Sequence, residues 1–265
     1  MNFDKGFCCK VTMGLFLAFS ASAANANVNQ GRDTDPVDAL LLPPAPITSS
    51  YVVTLSAGAE QESGGSNQTF YLAPDIVKSF MANKSTHVIT NAELFLGLQR
   101  FLIPGLNGQL GLDFGISNNA ALAGTIWDDA DPQFNNYTYR YQVRHSHVLV
   151  KGKFLLDFGI AISPWISGGV GVGFNNAYGF GTRTILFNAL DAQNFSSHTT
   201  TTFTYTIGAG LEYAIDKNWQ AGVGYEFADW GKSQLGTAQG QTLGGGLTSD
   251  HLYTNSILLN LTYLA

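Results

Sequence analysis

The sequence has 265 residues, of which 12% are charged, and a formal net charge of −6. The charged fraction is about half of the quarter that is usual for soluble domains, and the length suits one large domain. A mildly acidic chain without a basic patch is a poor nucleic-acid binder, so this class of partner is excluded.

The first 26 residues have the features of an export signal. Two lysines give a basic start, and the apolar run at 11–21 is too short to span a bilayer. The tripeptide Ala-Asn-Ala that ends at Ala26 has the small residues of a cleavage site. The sequence therefore predicts a signal peptide at 1–26 that is cleaved after Ala26, with Ala23 as the alternative.

Both cysteines, Cys8 and Cys9, lie before the apolar run and would be removed with it. Because one acidic residue and two lysines leave at the same time, the formal charge would change from −6 to −7. The exported chain would contain no cysteine, which excludes disulfides and thiol catalysis. Four prolines in the next segment, 27–50, forbid a continuous helix or sheet. This segment is predicted to be an irregular periplasmic leader.

From residue 51 onward, apolar and polar residues alternate in eight segments. The clearest is the hairpin at 203–227, where large apolar residues occupy one face and Thr, Gly and Gln occupy most of the other. Alternation with a period of two predicts strands with one apolar face. The predicted strands are Tyr51–Glu60, His87–Arg100, Gln109–Ile116, Tyr139–Phe154, Trp165–Phe174, Phe203–Tyr213, Trp219–Phe227 and Tyr253–Leu264.

The polar face of these strands favours a barrel in a membrane over a soluble one. In a soluble, lipocalin-like barrel the apolar face would point inward, and Glu93, Arg144, Glu212 and Glu226 would lie on an outer surface made mostly of Gly and Thr. The connections are also alternately long and short, which is typical of long extracellular loops and short periplasmic turns. The sequence predicts an all-β fold, a membrane-spanning antiparallel up-and-down barrel of eight strands over 51–265.

The inward face is predicted to carry a network of charges. An eight-stranded barrel has room inside only for side chains, and lone charges there would be costly, so they are expected to pair. Gly and Ser in the fifth to seventh strands would leave room for two long arginines of the fourth. The alternative is an ion path gated by these pairs. The predicted members are Glu60, Glu93, Asp113, Arg140, Arg144, Glu212 and Glu226.

Aromatic residues fall near the strand ends and predict two girdles at the membrane interfaces. The periplasmic girdle is predicted to contain Tyr51, Phe101, Trp165, Tyr213, Trp219 and Tyr263. The outer girdle is predicted to contain Trp127, Tyr139, Phe174, Tyr178, Phe203, Phe227 and Tyr253.

Two clusters contain residue types that bind metal ions. His145 and His147 share one face of a strand, but no carboxylate or third histidine is close in sequence, so we interpret them as a rim or lipid-boundary pair. Asp128, Asp129 and Asp131 would suit calcium or the ions that bridge lipopolysaccharide, but an acidic loop is usually just solvated. No catalytic, cofactor-binding or metal-binding residues are therefore predicted.

Two stretches add to the strand pattern, WISGGVGVGFNNA at 165–177 and WQAGVGYEFADWGKS at 219–233. Together with the export signal and the eight alternating strands, they resemble the opacity-protein and OmpA-like family of eight-stranded outer-membrane barrels. The resemblance covers Tyr51 to the C-terminus. It implies a location in the cell outer membrane and insertion by the barrel-assembly machinery. One departure is that Tyr263 is not the last residue, whereas such barrels commonly end on an aromatic residue.

A lumen filled by side chains and the lack of a catalytic constellation favour a structural or surface-interaction role without catalysis or cofactor. The expected partners are outer-membrane lipid, lipopolysaccharide, and a host or surface protein that the loops contact. A narrow pore for small solutes or ions is the alternative, and an outer-membrane lipid-modifying enzyme is a further one.

Overall fold

The computed structural model describes residues 49–63, 65–84, 87–185 and 194–265. The predicted signal peptide at 1–26 and all but the end of the predicted leader at 27–50 lie outside the described residues. Within the described ranges the chain is mostly β-strand. No helix in these ranges is long and apolar enough to cross a bilayer.

Thirteen strands are formed by the described residues. They are β1 (Ser49–Glu62), β2 (Gln68–Ala73), β3 (Ile76–Ala82), β4 (His87–Ile103), β5 (Leu106–Ser117), β6 (Ala120–Asp128), β7 (Asn135–Leu156), β8 (Ile162–Thr184), β9 (His198–Ala214), β10 (Trp219–Asp229), β11 (Ser233–Gln234), β12 (Thr248–Ser249) and β13 (Tyr253–Leu264). A single turn of 3₁₀ helix, Pro132–Phe134, precedes β7.

Eight of these strands close into a barrel. Around the ring they run β1, β4, β5, β7, β8, β9, β10 and β13, and β13 pairs with β1 to close it. Every pairing is antiparallel. The connections at 104–105, 157–161 and 215–218 are short and lie at one end, while the long connections lie at the other. The predicted eight-stranded antiparallel up-and-down barrel is confirmed.

The outer wall of the barrel is apolar over the height of a membrane. Leu55, Val150 and Leu259 are 57%, 53% and 68% exposed, whereas Thr54 and Ser56, on either side of Leu55, are buried inside. An apolar band of this kind, closed on itself without free strand edges, is the arrangement that a bilayer requires. The predicted orientation, apolar outward and polar inward, is confirmed.

Aromatic side chains lie on the outer wall at both ends of this band. At the periplasmic end the exposed rings are Tyr51, Phe101, Tyr213, Trp219 and Tyr263. At the extracellular end the exposed or half-buried rings are Phe174, Phe203, Phe227 and Tyr253, which form the outer girdle. Trp127 and Tyr178 are half-buried in β6 and β8, further from the membrane.

Two residues predicted for the girdles point into the barrel instead. Trp165 is 5% exposed and Tyr139 is 4% exposed. Trp165 precedes Ile166, which is 61% exposed on the outer wall, so alternation places the indole inside. Tyr139 has the same inward direction as Tyr141. The prediction was wrong for both because residue type, rather than position along the strand, decided the assignment.

The direction of side chains in β7 was also predicted wrongly. Its odd-numbered residues point inward, and its even-numbered residues, including Arg140 and Arg144, point outward. Val148 and Val150 must face lipid, and strict alternation then carries the same outer face up the strand to the two arginines. Arg140 and Arg144 therefore do not belong to the interior network.

Beyond the outer girdle the sheet continues as an extracellular extension. It consists of β2, β3 and β6, which pair in the order β2-β3-β6-β7 with the first part of β7, together with the end of β8 and the loop at 230–252. The segments that form β2, β3 and β6 were predicted to be mostly loop. Their inward faces enclose an apolar core that includes Leu72, Phe80, Leu122, Ile126, Tyr139, Tyr141, Phe180, Phe195, Trp230, Leu235 and Leu252.

Candidate functional site in the charged lumen

A lysine braced by three carboxylates lies in the middle of the lumen. Nζ of Lys151, on β7, lies 3.0 Å from Oε2 of Glu93, 3.2 Å from Oδ2 of Asp113 and 2.8 Å from Oε2 of Glu226. The four residues come from β7, β4, β5 and β10, so the cluster ties together strands from different parts of the ring. Pairing of this kind offsets the high cost of burying each charge alone.

A second lysine lies in the lumen nearer the periplasm. The ammonium of Lys153 contacts a carboxylate oxygen of Glu212, and it also lies 4.6 Å from the ring centroid of Trp165. Oγ1 of Thr262 donates to the same Glu212 oxygen at 3.3 Å, and it contacts Oγ1 of Thr54 at 2.9 Å. The buried ammonium of Lys153 is therefore stabilised both by an ion pair and by the face of an aromatic ring.

The histidine pair lies inside the lumen, on the extracellular side of Lys151, and not at a lipid boundary. His145 and His147 are 1% and 8% exposed. Nε2 of His145 lies 3.1 Å from Nδ1 of His147, and Nδ1 of His145 lies 2.7 Å from Oδ1 of Asn175. The indole of Trp230 stacks on His145 with centroids 4.4 Å apart. Nε2 of His147 lies 3.5 Å from Oδ2 of Asp113, so folding supplies the carboxylate that was absent nearby in sequence.

Glycines make room for these rings rather than for arginines. A Cβ on Gly115 would overlap the imidazole of His147, and one on Gly210 would lie 2.6 Å from Cζ2 of Trp165. A real Cβ does not approach so closely, so a side chain at either position would displace the neighbouring ring. The space that Gly provides is therefore filled by His147 and Trp165.

Of the predicted interior residues, five lie inside and two do not. Glu60, Glu93, Asp113, Glu212 and Glu226 are at most 4% exposed. The cations that pair with all of these except Glu60 are Lys151 and Lys153. Sequence reasoning missed both lysines, and Arg140 and Arg144 are outside. The signal was present, because alternation from lipid-facing Val148 and Val150 places both lysines on the inner face.

The apolar core of the extracellular extension lies directly above the lumen. Phe80 stacks with Phe70 at 5.2 Å and contacts Phe195 at 5.5 Å and Tyr139 at 5.8 Å. Burial raises the pKa of Tyr139 to about 12, and it raises the pKa of Tyr141 as well. Both phenols therefore remain protonated, and the core carries no charge from them.

The acidic loop in the extension is held by its own neighbours. Asp128 forms an ion pair with Lys78 at 2.8 Å and accepts from Nδ2 of Asn136 at 2.7 Å. Oδ1 of Asp131 accepts from the backbone N–H of Gln133 at 2.9 Å and so caps the 3₁₀ turn. The two aspartates thus have structural roles.

Three arginines lie on the outer faces of β7 and β8 beyond the outer girdle. Arg140 and Arg183 line a shallow groove of about 860 Å³ that crosses β3, β6, β7 and β8. Arg144 lies closer to the membrane, and its Nε donates to Oδ1 of Asn119 at 3.1 Å. We call Arg140, Arg144 and Arg183 the arginine wall.

An aspartate–histidine pair lies on another side of the barrel, at the outer girdle. Nδ1 of His251 contacts Oδ2 of Asp229 at 2.8 Å. The imidazole of His251 stacks on Tyr253 with ring centroids 5.4 Å apart, and its side chain is 55% exposed. Sequence reasoning missed this pair because the loop at 230–250 separates its members.

No family model and no curated protein matches the sequence. Solved outer-membrane barrels give loose matches. Neisserial surface protein A is 10% identical, with 82% of this chain and 98% of that chain covered and a TM-score of 0.40. The outer membrane protease OmpT from Escherichia coli is 9% identical, with 84% and 99% covered and a TM-score of 0.45. Ail, the attachment invasion locus protein of Yersinia pestis, is 12% identical, with 81% and 98% covered and a TM-score of 0.31.

Proposed function

We propose that this outer-membrane barrel is a surface-interaction protein that neither conducts ions nor catalyses a reaction. Its arginine wall binds the phosphate groups of lipopolysaccharide, and its extracellular extension meets a host or surface protein. The single observation that carries the proposal is the division of cations in β7, where Lys151 and Lys153 face inward to carboxylates and Arg140 and Arg144 face outward.

Side chains at two heights of the lumen support the non-conducting part of the proposal. At membrane level the lysine–carboxylate layers fill the interior, with Trp165 beside Lys153. Above them, Trp230 stacks on His145 and forms part of the apolar core of the extension. A hydrated ion would have to break buried ion pairs and then cross an apolar layer, and both steps are costly.

The height of the arginine wall supports the lipopolysaccharide part. Phe174 of the outer girdle pairs with Ser146 of β7, and Arg144 lies two residues further from the membrane. Arg140 lies four residues beyond Arg144 on the same face. Arginine binds phosphate through a planar fork of donors, and the phosphates of lipopolysaccharide lie just outside the apolar part of the bilayer.

Planar-bilayer recording on the purified full chain tests the first part. We expect no steady ion current above that of the protein-free bilayer, because an ion would have to break the buried ion pairs of Lys151 and Lys153. A reproducible unitary conductance would overturn it and favour the narrow-pore alternative.

Binding of lipopolysaccharide to the detergent-solubilised chain tests the second part. The triple variant Arg140→Gln, Arg144→Gln and Arg183→Gln should lose at least about tenfold in affinity, since several charge-assisted hydrogen bonds are removed. Enzymatic dephosphorylation of the lipopolysaccharide should have the same effect on the unsubstituted chain. The control Arg100→Gln, an exposed residue near the periplasmic turn at 104–105, should bind normally. Equal affinity for the triple variant and the control would contradict the proposal.

Lipid modification is a second candidate function, favoured by the Asp229–His251 pair. An exposed imidazole that a buried carboxylate orients is an arrangement used in general base catalysis, and here it faces the outer interface. Mass spectrometry of lipid A from cells with and without the protein tests it. A mass change that is lost in His251→Ala would establish an enzyme, and an unchanged spectrum would exclude lipid A as a substrate.

A further inference from the structure

The hydrogen bonds of Asn175 fix the direction of a relay through the two histidines of β7. Its side-chain amide donates from Nδ2 to the backbone carbonyl oxygens of Trp230 and Lys232, at 2.8 Å each. Its Oδ1 is therefore the atom that faces Nδ1 of His145 at 2.7 Å. Since an amide oxygen only accepts, Nδ1 of His145 carries a proton.

The relay then sets the tautomer of the second histidine. With its proton on Nδ1, neutral His145 accepts at Nε2, which lies 3.1 Å from Nδ1 of His147. Nδ1 of His147 is thus the donor, and Nε2 of neutral His147 has a free lone pair. This atom has no hydrogen-bond partner among the described residues, and it faces Oδ2 of Asp113 at 3.5 Å. Two acceptors face each other across this gap.

The width of the gap suits a metal ion better than a shared proton. A charge-assisted hydrogen bond from an imidazolium to a carboxylate would be about 2.7–2.9 Å long. Nitrogen and oxygen ligands lie about 2.0–2.2 Å from zinc, and tetrahedral geometry then separates two of them by roughly 3.3–3.6 Å. The observed 3.5 Å falls in this range. One ligand atom each of Glu93, Asp113 and His147 lie within 4.8 Å of one another.

We propose that Nε2 of His147 and the carboxylates of Asp113 and Glu93 bind a divalent transition-metal ion of the zinc type inside the lumen. Imidazole with carboxylate oxygen is a ligand set that such ions use. His145 and Asn175 are positioning residues that hold the ligand histidine in the required tautomer, as outer hydrogen-bond partners do at metal sites.

Two further buried carboxylate oxygens near His147 lack a partner among the residues that the structure describes. Oδ1 of Asp113 and Oε2 of Glu60 have no hydrogen-bond partner within the described chain, although the two residues are only 1% and 2% exposed. Glu60, Glu93 and His147 line one small cavity, which Trp230 also lines. Buried anionic oxygens without a partner are costly, and a divalent ion bound at His147 and Asp113 reduces this cost.

Lys151 leaves room for the ion. Its ammonium contacts Oδ2 of Asp113 and Oε2 of Glu93, but a carboxylate oxygen has two lone pairs, so Oδ2 of Asp113 can accept from Lys151 and also bind an ion that faces Nε2 of His147. One lysine charge also faces three carboxylates, including Glu226. The cluster keeps a negative surplus that a divalent cation reduces.

Metal titration of the full chain tests the proposal. The detergent-solubilised protein is stripped with a chelator and titrated with Zn²⁺ by calorimetry, and with Co²⁺ by visible absorption. We expect one ion per chain and a Co²⁺ spectrum of low-symmetry N/O coordination. His147→Gln and Asp113→Asn should each weaken binding at least tenfold, and Asn175→Ala should weaken it about 10–100-fold. The control His251→Gln, whose imidazole lies outside the lumen, should bind like the unsubstituted chain.

Several outcomes would overturn the site. These are no saturable binding by the unsubstituted chain, equal affinity in His147→Gln and His251→Gln, or a nuclear magnetic resonance signature of a protonated His147 that Zn²⁺ leaves unchanged. Heat-modifiable gel migration shows whether each variant folds. If His147→Gln does not fold, X-ray absorption of the Zn²⁺-loaded unsubstituted chain decides, because a ligand shell without one imidazole nitrogen contradicts the proposal.

Discussion

The membrane-level barrel and the extracellular extension share continuous strands, but they bury opposite kinds of residue. The barrel buries charged residues, and the extension buries apolar ones. In the membrane, β7 turns Val148 and Val150 outward to lipid and Lys151 inward to carboxylates. In the extension the same strand turns Tyr139 inward to an apolar core and Arg140 outward to water. The backbone keeps its alternation throughout, so only the surroundings change.

This difference shows that the outer medium determines what the lumen contains. Where lipid covers the wall, the apolar residues are used outside and the interior is left to charges, which must pair. Where water covers the wall, the extension packs as a soluble protein does, with aromatic rings inside. The change occurs at the outer girdle, and His145 with Trp230 lies at the junction of the charged and the apolar interior.

Removal of the central lysine should have the largest effect on stability. Lys151→Met leaves the carboxylates of Glu93, Asp113 and Glu226 without their shared cation. Breaking a buried ion pair by removing one partner costs roughly 3–5 kcal/mol, and we expect the upper end of this range because three carboxylates lose their partner. Urea unfolding in lipid vesicles measures the change in the free energy of unfolding.

Lys217→Met is the matched control, since this lysine lies exposed in the short connection at 215–218. It should change the free energy of unfolding by at most about 0.5 kcal/mol. If the two lysine variants were equally stable, the barrel would not depend on the ion pairs in its lumen. The view that charges stabilise the interior at membrane level would then be contradicted.

Damage to the apolar core should affect the extension and leave the barrel intact. Phe80 is 2% exposed and contacts three aromatic rings, so Phe80→Ala should cost about 3 kcal/mol of packing energy. We expect faster proteolysis of the extension with unchanged heat-modifiable migration of the barrel. Phe134→Ala, at a ring that is 46% exposed, is the control and should digest at the normal rate. Loss of the migration shift in Phe80→Ala would mean that the two regions fold as one unit.

The sequence was sufficient to predict the eight strands of the barrel and its apolar wall, but not the strands of the extension or the contents of the lumen. Leu55 and Leu259 identify their own face, because lipid selects apolar residues wherever it touches the wall. Alternation alone shows which residues share a face, but it does not show which face is inside. For this reason Tyr139 was predicted to face outward and Arg140 inward, whereas the structure has the reverse. Trp165 was misplaced because its ring suits an interface as well as a lumen.

The residues that His147 contacts across the lumen could not be predicted from the sequence for a different reason. His147 meets Asp113, 34 residues away in the chain, because β5 and β7 pair in a particular register. It meets Glu93 only because the ring closes at this width. The spacing of residues along the chain specifies neither the register of strand pairing nor the curvature of the barrel. No local motif therefore predicts this cluster.

The substitution with the smallest expected effect, Arg144→Met, tests most directly which residues of β7 face outward. Arg144→Met should change the free energy of unfolding by no more than about 0.5 kcal/mol, because its guanidinium is exposed and donates to Asn119 on the outer wall. An arginine inside the lumen would instead cost several kcal/mol when removed, as Lys151 should. Measurement of Arg144→Met and Lys151→Met in the same vesicles therefore tests the direction of the whole strand. A large loss of unfolding free energy in Arg144→Met would mean that the even-numbered residues of β7 face inward and that the arginines lie among the carboxylates. A negligible loss is the result expected if the arginines lie outside, where they can bind lipopolysaccharide.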